Sequence, residues 1–426
     1  MDPDDEEGLS RRSLFQLAGG AAALTILSRK SHAAPIPRAR FIDSEIVERI
    51  DARDPSLHPP LLIDIQTHVW WRANGGIRKM TDSARAFLEN LAGTRARVTG
   101  NPVPVADMGR CMFVDDMFLR SETDIAFLNA FGMRAQFDGI DAFAPREAAH
   151  VRSMAPARIR VHGTVDPPDG PAAVESVIYQ CEALKIDSLK LYPPGGLIND
   201  APFWRLDDKK RSYPVLEAAR KHGVKNVCVH TGYLGYDNLR AKKLTPEEEE
   251  CLRAPMIARV AADFPDLNFI AFHATYPWEE EFAEVARKAK VKNMYCELGG
   301  LAKLMWKDPQ RYTKLLAMMI DAMGADHILW GSDTPIWGPP QWQVQFFQAL
   351  KIPDEIIEKY PRSHLTTEVK NKILGLNTAR LYNVDVKVAQ RDVQADLLYK
   401  LRADGNTLPG VMAPLKTSPS PSKGGA

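Results

Sequence analysis

The chain has 426 residues, 45% of them hydrophobic and 26% charged, with a formal net charge of +1. That apolar content is enough for a large core, and the balanced charge argues against nucleic acid or an anionic membrane surface as partner, since both select strongly basic proteins. The five cysteines, Cys111, Cys181, Cys228, Cys251 and Cys296, show no CxxC or finger spacing, which excludes a disulfide framework and a zinc knuckle.

In chain order, residues 1–34 read as an export leader. Arg11-Arg12 precede the moderately apolar run Ala18 to Leu27, and Ser31-His32-Ala33-Ala34 offers small residues for cleavage. The paired arginines point to the twin-arginine export machinery and a periplasmic destination, although Leu14 stands where that signal usually has phenylalanine. The apolar run is too short for a stable membrane anchor. Residues 35–60 follow as a linker.

Apolar, β-branched runs then recur at Leu61 to Val69, Asp124 to Phe131, Ile159 to Val165, Asp187 to Leu191, Lys225 to His230, Asn268 to Phe272, Asn293 to Glu297 and His327 to Gly331. Segments of helical spacing separate most of them, at Pro171 to Leu184, Pro214 to His222, Pro246 to Phe264, Glu279 to Ala289 and Pro309 to Met323. Eight strands alternating with helices predict an α/β fold, a (β/α)8 TIM barrel over residues 61–385. An open doubly wound sheet fits less well, because no GxGxxG turn follows the first strand. Residues 72–116 make a long, charged connection, expected as a helical lid or a dimer contact. Val388 to Arg402 has helical spacing within a predicted C-terminal helix at 386–405, and the small, proline-rich tail at 406–426 is expected to be disordered.

Polar residues stand at or just past the ends of several of these apolar strands: Asp64, Gln66 and His68 on the first, His230 on the fifth, His273 on the sixth and Asp333 on the eighth. A barrel gathers all strand ends on one face, so residues far apart in sequence can share one ion. His68, His230 and Asp333 supply two imidazoles and a carboxylate, a donor set suited to zinc or another divalent metal with a position open to water. His273 is either a further ligand or a proton-transfer group. Trp70, Trp71, Tyr192, Tyr276, Trp278 and Trp337 follow strand ends and would line the mouth for a flat, partly apolar substrate.

Asp64-Ile65-Gln66-Thr67-His68, the two strand-end histidines, Gly331-Ser332-Asp333-Thr334-Pro335 and Asn377-Thr378-Ala379-Arg380-Leu381-Tyr382 together resemble the amidohydrolase superfamily. The resemblance runs from Leu61 to about Asp385, and within the superfamily it is to the branch that includes aminocarboxymuconate-semialdehyde decarboxylase and aromatic-acid decarboxylases. It implies a divalent ion, Zn2+ or Mn2+, held by the strand-one pair, His230 and Asp333, with His273 assisting proton transfer. The family usually has His-x-His on its first strand; here Gln66 takes the first place, as a neutral, harder ligand or as a substrate contact. Lys190 sits where some superfamily members carry a carbamylated lysine bridging two metals, and here a pairing with a substrate carboxylate is the preferred reading. Glu297 is placed to orient a ligand or to hold Lys190.

Two enzymatic readings follow, with a third that is not catalytic. The first is hydrolysis of a small aromatic or carboxylated substrate through a metal-activated water, with Asp333 or His273 taking the proton. The second is metal-dependent decarboxylation, in which Asp333 delivers a proton to carbon as carbon dioxide leaves. A metal-free periplasmic binding protein is the third.

Overall fold

The computed structural model describes residues 40–405, apart from 71–79, 105–107, 133, 135–136, 138–140, 194–202, 233–243 and 290–291. The expected leader, the tail and Trp71 therefore lie outside the described residues.

Eight strands run in sequence order around one parallel sheet: β1 (Ile63–Thr67), β2 (Ile125–Asn129), β3 (Ile159–Gly163), β4 (Ser188–Leu191), β5 (Asn226–His230), β6 (Asn268–Phe272), β7 (Met294–Glu297) and β8 (Ile328–Leu329). The first and last meet through Ile65 N to Trp330 O (3.1 Å), Asp333 N to Gln66 O (2.9 Å) and His68 N to Thr334 O (2.7 Å). These bonds close the (β/α)8 barrel that the strand–helix alternation predicts. Strands buried on both faces read as continuous apolar runs, which is why period-two alternation is missing from the sequence.

The barrel interior has an apolar floor. Leu61, Ile63, Ile65, Ile125, Phe127, Ile270, Phe272 and Leu329 pack there with Ala379 and Leu381 of the closing helix. That helix (Asn377–Leu381) is pinned by Asn377, whose Nδ2 donates to Ala325 O and Ile328 O, both at 2.8 Å. The preceding turn passes so close to β1 that a side chain at Gly375 would collide with the Leu61 carbonyl.

Three segments depart from expectation. The stretch taken as a linker is folded from residue 40 onward: Phe41 and Ile42 are buried, and Ile42 bridges Leu350, so a helix at Ser44–Asp51 is held against the barrel by apolar contact. The single helix expected from Pro246 to Phe264 is two, Pro246–Glu250 and Ala254–Asp263, the second restarting with Pro255 in its first turn. Val388 to Arg402 likewise falls in two helices, Val386–Ala395 and Leu397–Gly405. They dock through fully buried Arg158, which donates to the carbonyls of Asp124 (2.9 Å) and Thr123 (2.5 Å) and lies 3.5 Å from Asp396. No described helix is long and apolar enough to cross a membrane.

The long connection after β1 carries the helix Asp82–Thr99. The Thr81 hydroxyl accepts from Ala84 N (3.2 Å) to start it, and Gly100, at φ +71°, ends it in the left-handed conformation. Phe87, Leu91, Arg95 and Thr99 recur every four residues and form one stripe of this helix.

Candidate active site

A local irregularity builds the mouth. Leu61, Ile63 and Ile65 belong to the floor cluster, whereas two residues of opposite parity, Gln66 and His68, line the pocket above it. The β1–β2 register shifts between Asp64 and Thr67, a bulge that turns this end of the strand and re-aims its side chains. The Asp64 carboxylate fixes the bulge by accepting from Gln66 N and Ser332 N, each at 3.0 Å. Burial pushes its pKa up to about 7, against those two hydrogen bonds.

The predicted polar residues meet at the barrel mouth. His68 Nε2 lies 3.2 Å from Asp333 Oδ1, and Gln66 Nε2 donates to the same oxygen at 3.0 Å. Gln66 Nε2 is also 3.4 Å from His273 Nε2, which stands 3.3 Å from His230 Nδ1. Four of the five are connected to a neighbour without passing through His230, which joins the cluster by way of His273. All five are at least nine-tenths buried.

Backbone strain accompanies the cluster. His273 has φ +66°, Ala274 +49°, Thr275 +53° and Asp333 +61°, values that residues with a Cβ rarely adopt. Glu297 holds the first of these turns: its carboxylate accepts from His273 N (3.2 Å) and from Gly299 N, while His273 Nδ1 bonds Gly299 O at 2.8 Å. Side chains at Gly299 or Gly331 would collide with Glu297 and Gln66, so both glycines are required by close approach.

Electrostatics set this cluster to receive protons. Burial works to raise the Asp333 pKa, but the hydrogen bond and charge of His68, with His273 and Lys190 behind them, outweigh it and hold the acid below its ordinary value. Burial pushes His230 well down and His273 down to about 4, so both are neutral imidazoles. Burial drives the Glu297 carboxyl well up. Lys190 is fully buried, with Nζ 3.9 Å from the centre of the Phe272 ring and 4.6 Å from that of Tyr192. Its ammonium has no hydrogen-bond partner, and burial lowers its pKa to about 7.

Above the cluster lies a closed cavity of about 30 Å3, lined by Gln66, His68, His230, His273 and Asp333 below and by Trp70, Phe87, Leu91, Phe131, Tyr192 and Ile336 around it. Trp70 and Tyr192 thus line the mouth as their positions predict. Tyr276 and Trp337 do not: the Tyr276 ring carries the Arg311 guanidinium at 4.5 Å, and Trp337 gives its carbonyl to the Trp342 indole. Trp278 borders a separate surface pocket. Sequence reasoning missed Phe87, Leu91 and Ile336 as wall residues. The four-residue spacing of Phe87, Leu91 and Arg95 was the available signal for the first two.

Arg95 anchors the overlying helix. Its guanidinium bonds Asp116 at 2.6 and 3.3 Å and the carbonyl of Pro335, two residues beyond Asp333, at 2.7 Å. Both partners of this ion pair are buried.

The amidohydrolase family model matches residues 63–384. This chain belongs to the amidohydrolase family. It is an enzyme, placed by that family among metal-dependent hydrolases and carboxy-lyases. An uncharacterized TIM-barrel protein from Bordetella bronchiseptica is 20% identical, with 76% of this chain and 99% of that one covered at a TM-score of 0.52. The 5-carboxyvanillate decarboxylase LigW from Sphingomonas paucimobilis is 16% identical over 76% and 99%, at 0.47. A 5-carboxyvanillate decarboxylase from Novosphingobium aromaticivorans, complexed with manganese and 4-hydroxy-3-methoxy-5-nitrobenzoic acid, is 14% identical over 76% and 96%, at 0.48. No curated protein matches the chain.

The family implies a divalent metal, and the donor set fits one. Ligands about 2.1 Å from a shared ion stand roughly 3.4 Å apart, and the neighbouring donor contacts here span 3.0 to 3.4 Å. The buried Gln66 Oε1 also has no hydrogen-bond partner and is a hard oxygen donor. Among the described residues, however, no three His, Cys, Asp or Glu side chains already form a metal-holding group. Gln66 takes one of the places such a group would need.

Proposed function

We propose that this protein hydrolyses an ester, lactone or amide bond in a small, flat, carboxylated substrate. The resting state of Asp333 carries the reading: a buried carboxylate kept ionised beside neutral imidazoles is equipped to accept a proton, not to give one. A cavity of about 30 Å3 beside it has room for a water molecule. Asp333, His68 and His230, with the Gln66 carboxamide oxygen, would hold the divalent ion, Zn2+ or Mn2+, whose chemistry is to acidify a water and polarise a carbonyl.

The chain's own residues account for the remaining steps. Asp333 takes the proton as the water oxygen bonds to the carbonyl carbon. The bond from that carbon to the leaving oxygen or nitrogen then breaks, and the proton passes to the leaving atom, with His273 adjacent through Gln66. Trp70, Phe131 and Tyr192 flank a planar substrate, and Lys190 meets its carboxylate, regaining full charge on pairing. Phe87 and Leu91 exclude bulk water from above. Arg11-Arg12 and the apolar run behind them support export by the twin-arginine route to the periplasm.

Decarboxylation of an aromatic acid is the second reading, favoured by one observation: the walls above the cluster are almost wholly aromatic or aliphatic, a setting that promotes loss of a carboxylate charge. Assays of the full chain with divalent ion, on carboxylated lactones and aryl esters against hydroxybenzoates, separate the two. Incorporation of 18O from labelled water into the acid product supports hydrolysis; carbon dioxide release without such incorporation overturns it.

A further inference from the structure

The Gln66 carboxamide faces two groups that fix its orientation. Asp333 Oδ1 is a carboxylate oxygen and only accepts. His273 Nδ1 gives its hydrogen to the Gly299 carbonyl at 2.8 Å, so the Nε2 of this neutral ring also only accepts. Both acceptors lie against one atom of Gln66, at 3.0 and 3.4 Å, so that atom is the amide nitrogen, and its two hydrogens serve both. The carboxamide oxygen turns the other way, against the Gly299 backbone, where it has no hydrogen-bond partner.

This arrangement stands in for a cation. An ionised carboxylate at the centre of a buried site needs donors, and Gln66 supplies one without carrying charge or a titratable proton. For Gln66 to serve as a ligand, its amide must turn over and bring the oxygen to the cluster. Turning without an ion would set two oxygens against each other at the Asp333 contact. With an ion, it would cost both existing hydrogen bonds.

Resting on the hydrolase reading's assignment of the ion to this cluster, we propose that Gln66 is a reversible placeholder. Its N–H groups hold Asp333 and His273 in working geometry while the ion is absent, and its rotation is the step that admits the ion. Ion loading is therefore weak and exchangeable, and the ion-free mouth stays ordered. Gln66 acts as a positioning residue.

The test uses the full chain, freed of metal with chelator, and two readouts independent of turnover: calorimetric titration with Mn2+ and Zn2+, and thermal melting with and without each ion. Gln66→His, which supplies an imidazole and removes the bridging amide, is expected to bind ion at least tenfold more tightly than the native chain. Gln66→Glu, nearly the same shape, sets a second carboxylate beside Asp333; its ion-free form is expected to melt several degrees below the native chain and to recover on adding ion. The native melting temperature should move little. Equal or tighter binding by the native chain than by Gln66→His overturns the proposal. So does a native melting temperature that falls with chelator as far as that of Gln66→Glu. If these differences hold while no ester, lactone or amide is cleaved, the hydrolase reading fails and the placeholder role stands.

Discussion

The floor and the mouth of this barrel are built from the same eight strands, yet they solve opposite problems. On the floor, Ile63, Ile65, Ile125, Phe127, Ile270 and Leu329 fill the interior, and the polar groups among them are paired: His162 bonds Ile65 O at 2.9 Å and the Ser188 hydroxyl, and Asn226 bonds Leu381 O at 3.2 Å. At the mouth, Asp64 Oδ2, Gln66 Oε1, His68 Nδ1 and Lys190 Nζ are buried without hydrogen-bond partners, and four residues with side chains sit at positive φ. Each such group destabilises the fold by about 1–3 kcal/mol. The floor holds the barrel together so that the mouth can keep reactive groups unsatisfied until a ligand meets them.

The sharpest way to break this contrast is to neutralise the central acid. Asp333→Asn keeps the shape of the site but removes its proton acceptor, and turnover should fall about a thousandfold. The melting temperature should change little. A variant that retains more than a tenth of native kcat would show that Asp333 is part of the packing and not of the chemistry.

Arg95 and Lys190 compare a satisfied buried cation with an unsatisfied one, and their substitutions should act with opposite sign. Arg95→Met leaves the buried Asp116 carboxylate without its partner and releases the Pro335 carbonyl, which should destabilise the protein by about 3–5 kcal/mol in urea unfolding. Lys190→Met removes an ammonium that has no partner and leaves an apolar stem among Tyr192 and Phe272. Stability should then rise, by on the order of 1 kcal/mol, while KM for carboxylated substrates increases at least tenfold. Loss of stability in Lys190→Met would mean that the ammonium is held by the fold and is not reserved for substrate.

The same contrast explains what the sequence made legible. Strands that are buried on both faces announce themselves as apolar runs, and the polar residues at their ends stand out because they interrupt that pattern, so the barrel and Gln66, His68, His230, His273 and Asp333 were all readable. The bulge that turns Gln66 and His68 inward left no mark, because a one-residue register shift changes no composition. Residues beyond the strands were harder to place. Tyr276 and Trp337 were expected at the mouth from their distance past a strand end, but loop conformation decides where such rings go: one stacks under Arg311 and the other packs beside Trp342. Phe87 and Leu91 reach the site from a helix in the β1–β2 connection, and only the path of the chain reveals which face of that helix points down.

Those two residues support the mildest prediction, which bears on where the mouth ends. The cavity of about 30 Å3 is far smaller than an aromatic acid, so the helix Asp82–Thr99 has to yield for substrate to enter. Phe87 is half-buried and supplies part of the ceiling, whereas Arg95, two turns along the same stripe, is fixed to Asp116 and Pro335. Yielding should therefore concentrate at the Phe87 end. Phe87→Ala should open that end at a modest cost of about 1 kcal/mol in stability, well below that of a fully buried phenylalanine. For the smallest substrate, kcat/KM should drop a few-fold as water reaches the site, and for one carrying an extra ring substituent it should rise a few-fold. Equal changes for both substrates would place the entrance elsewhere on the rim and leave Phe87 as packing alone.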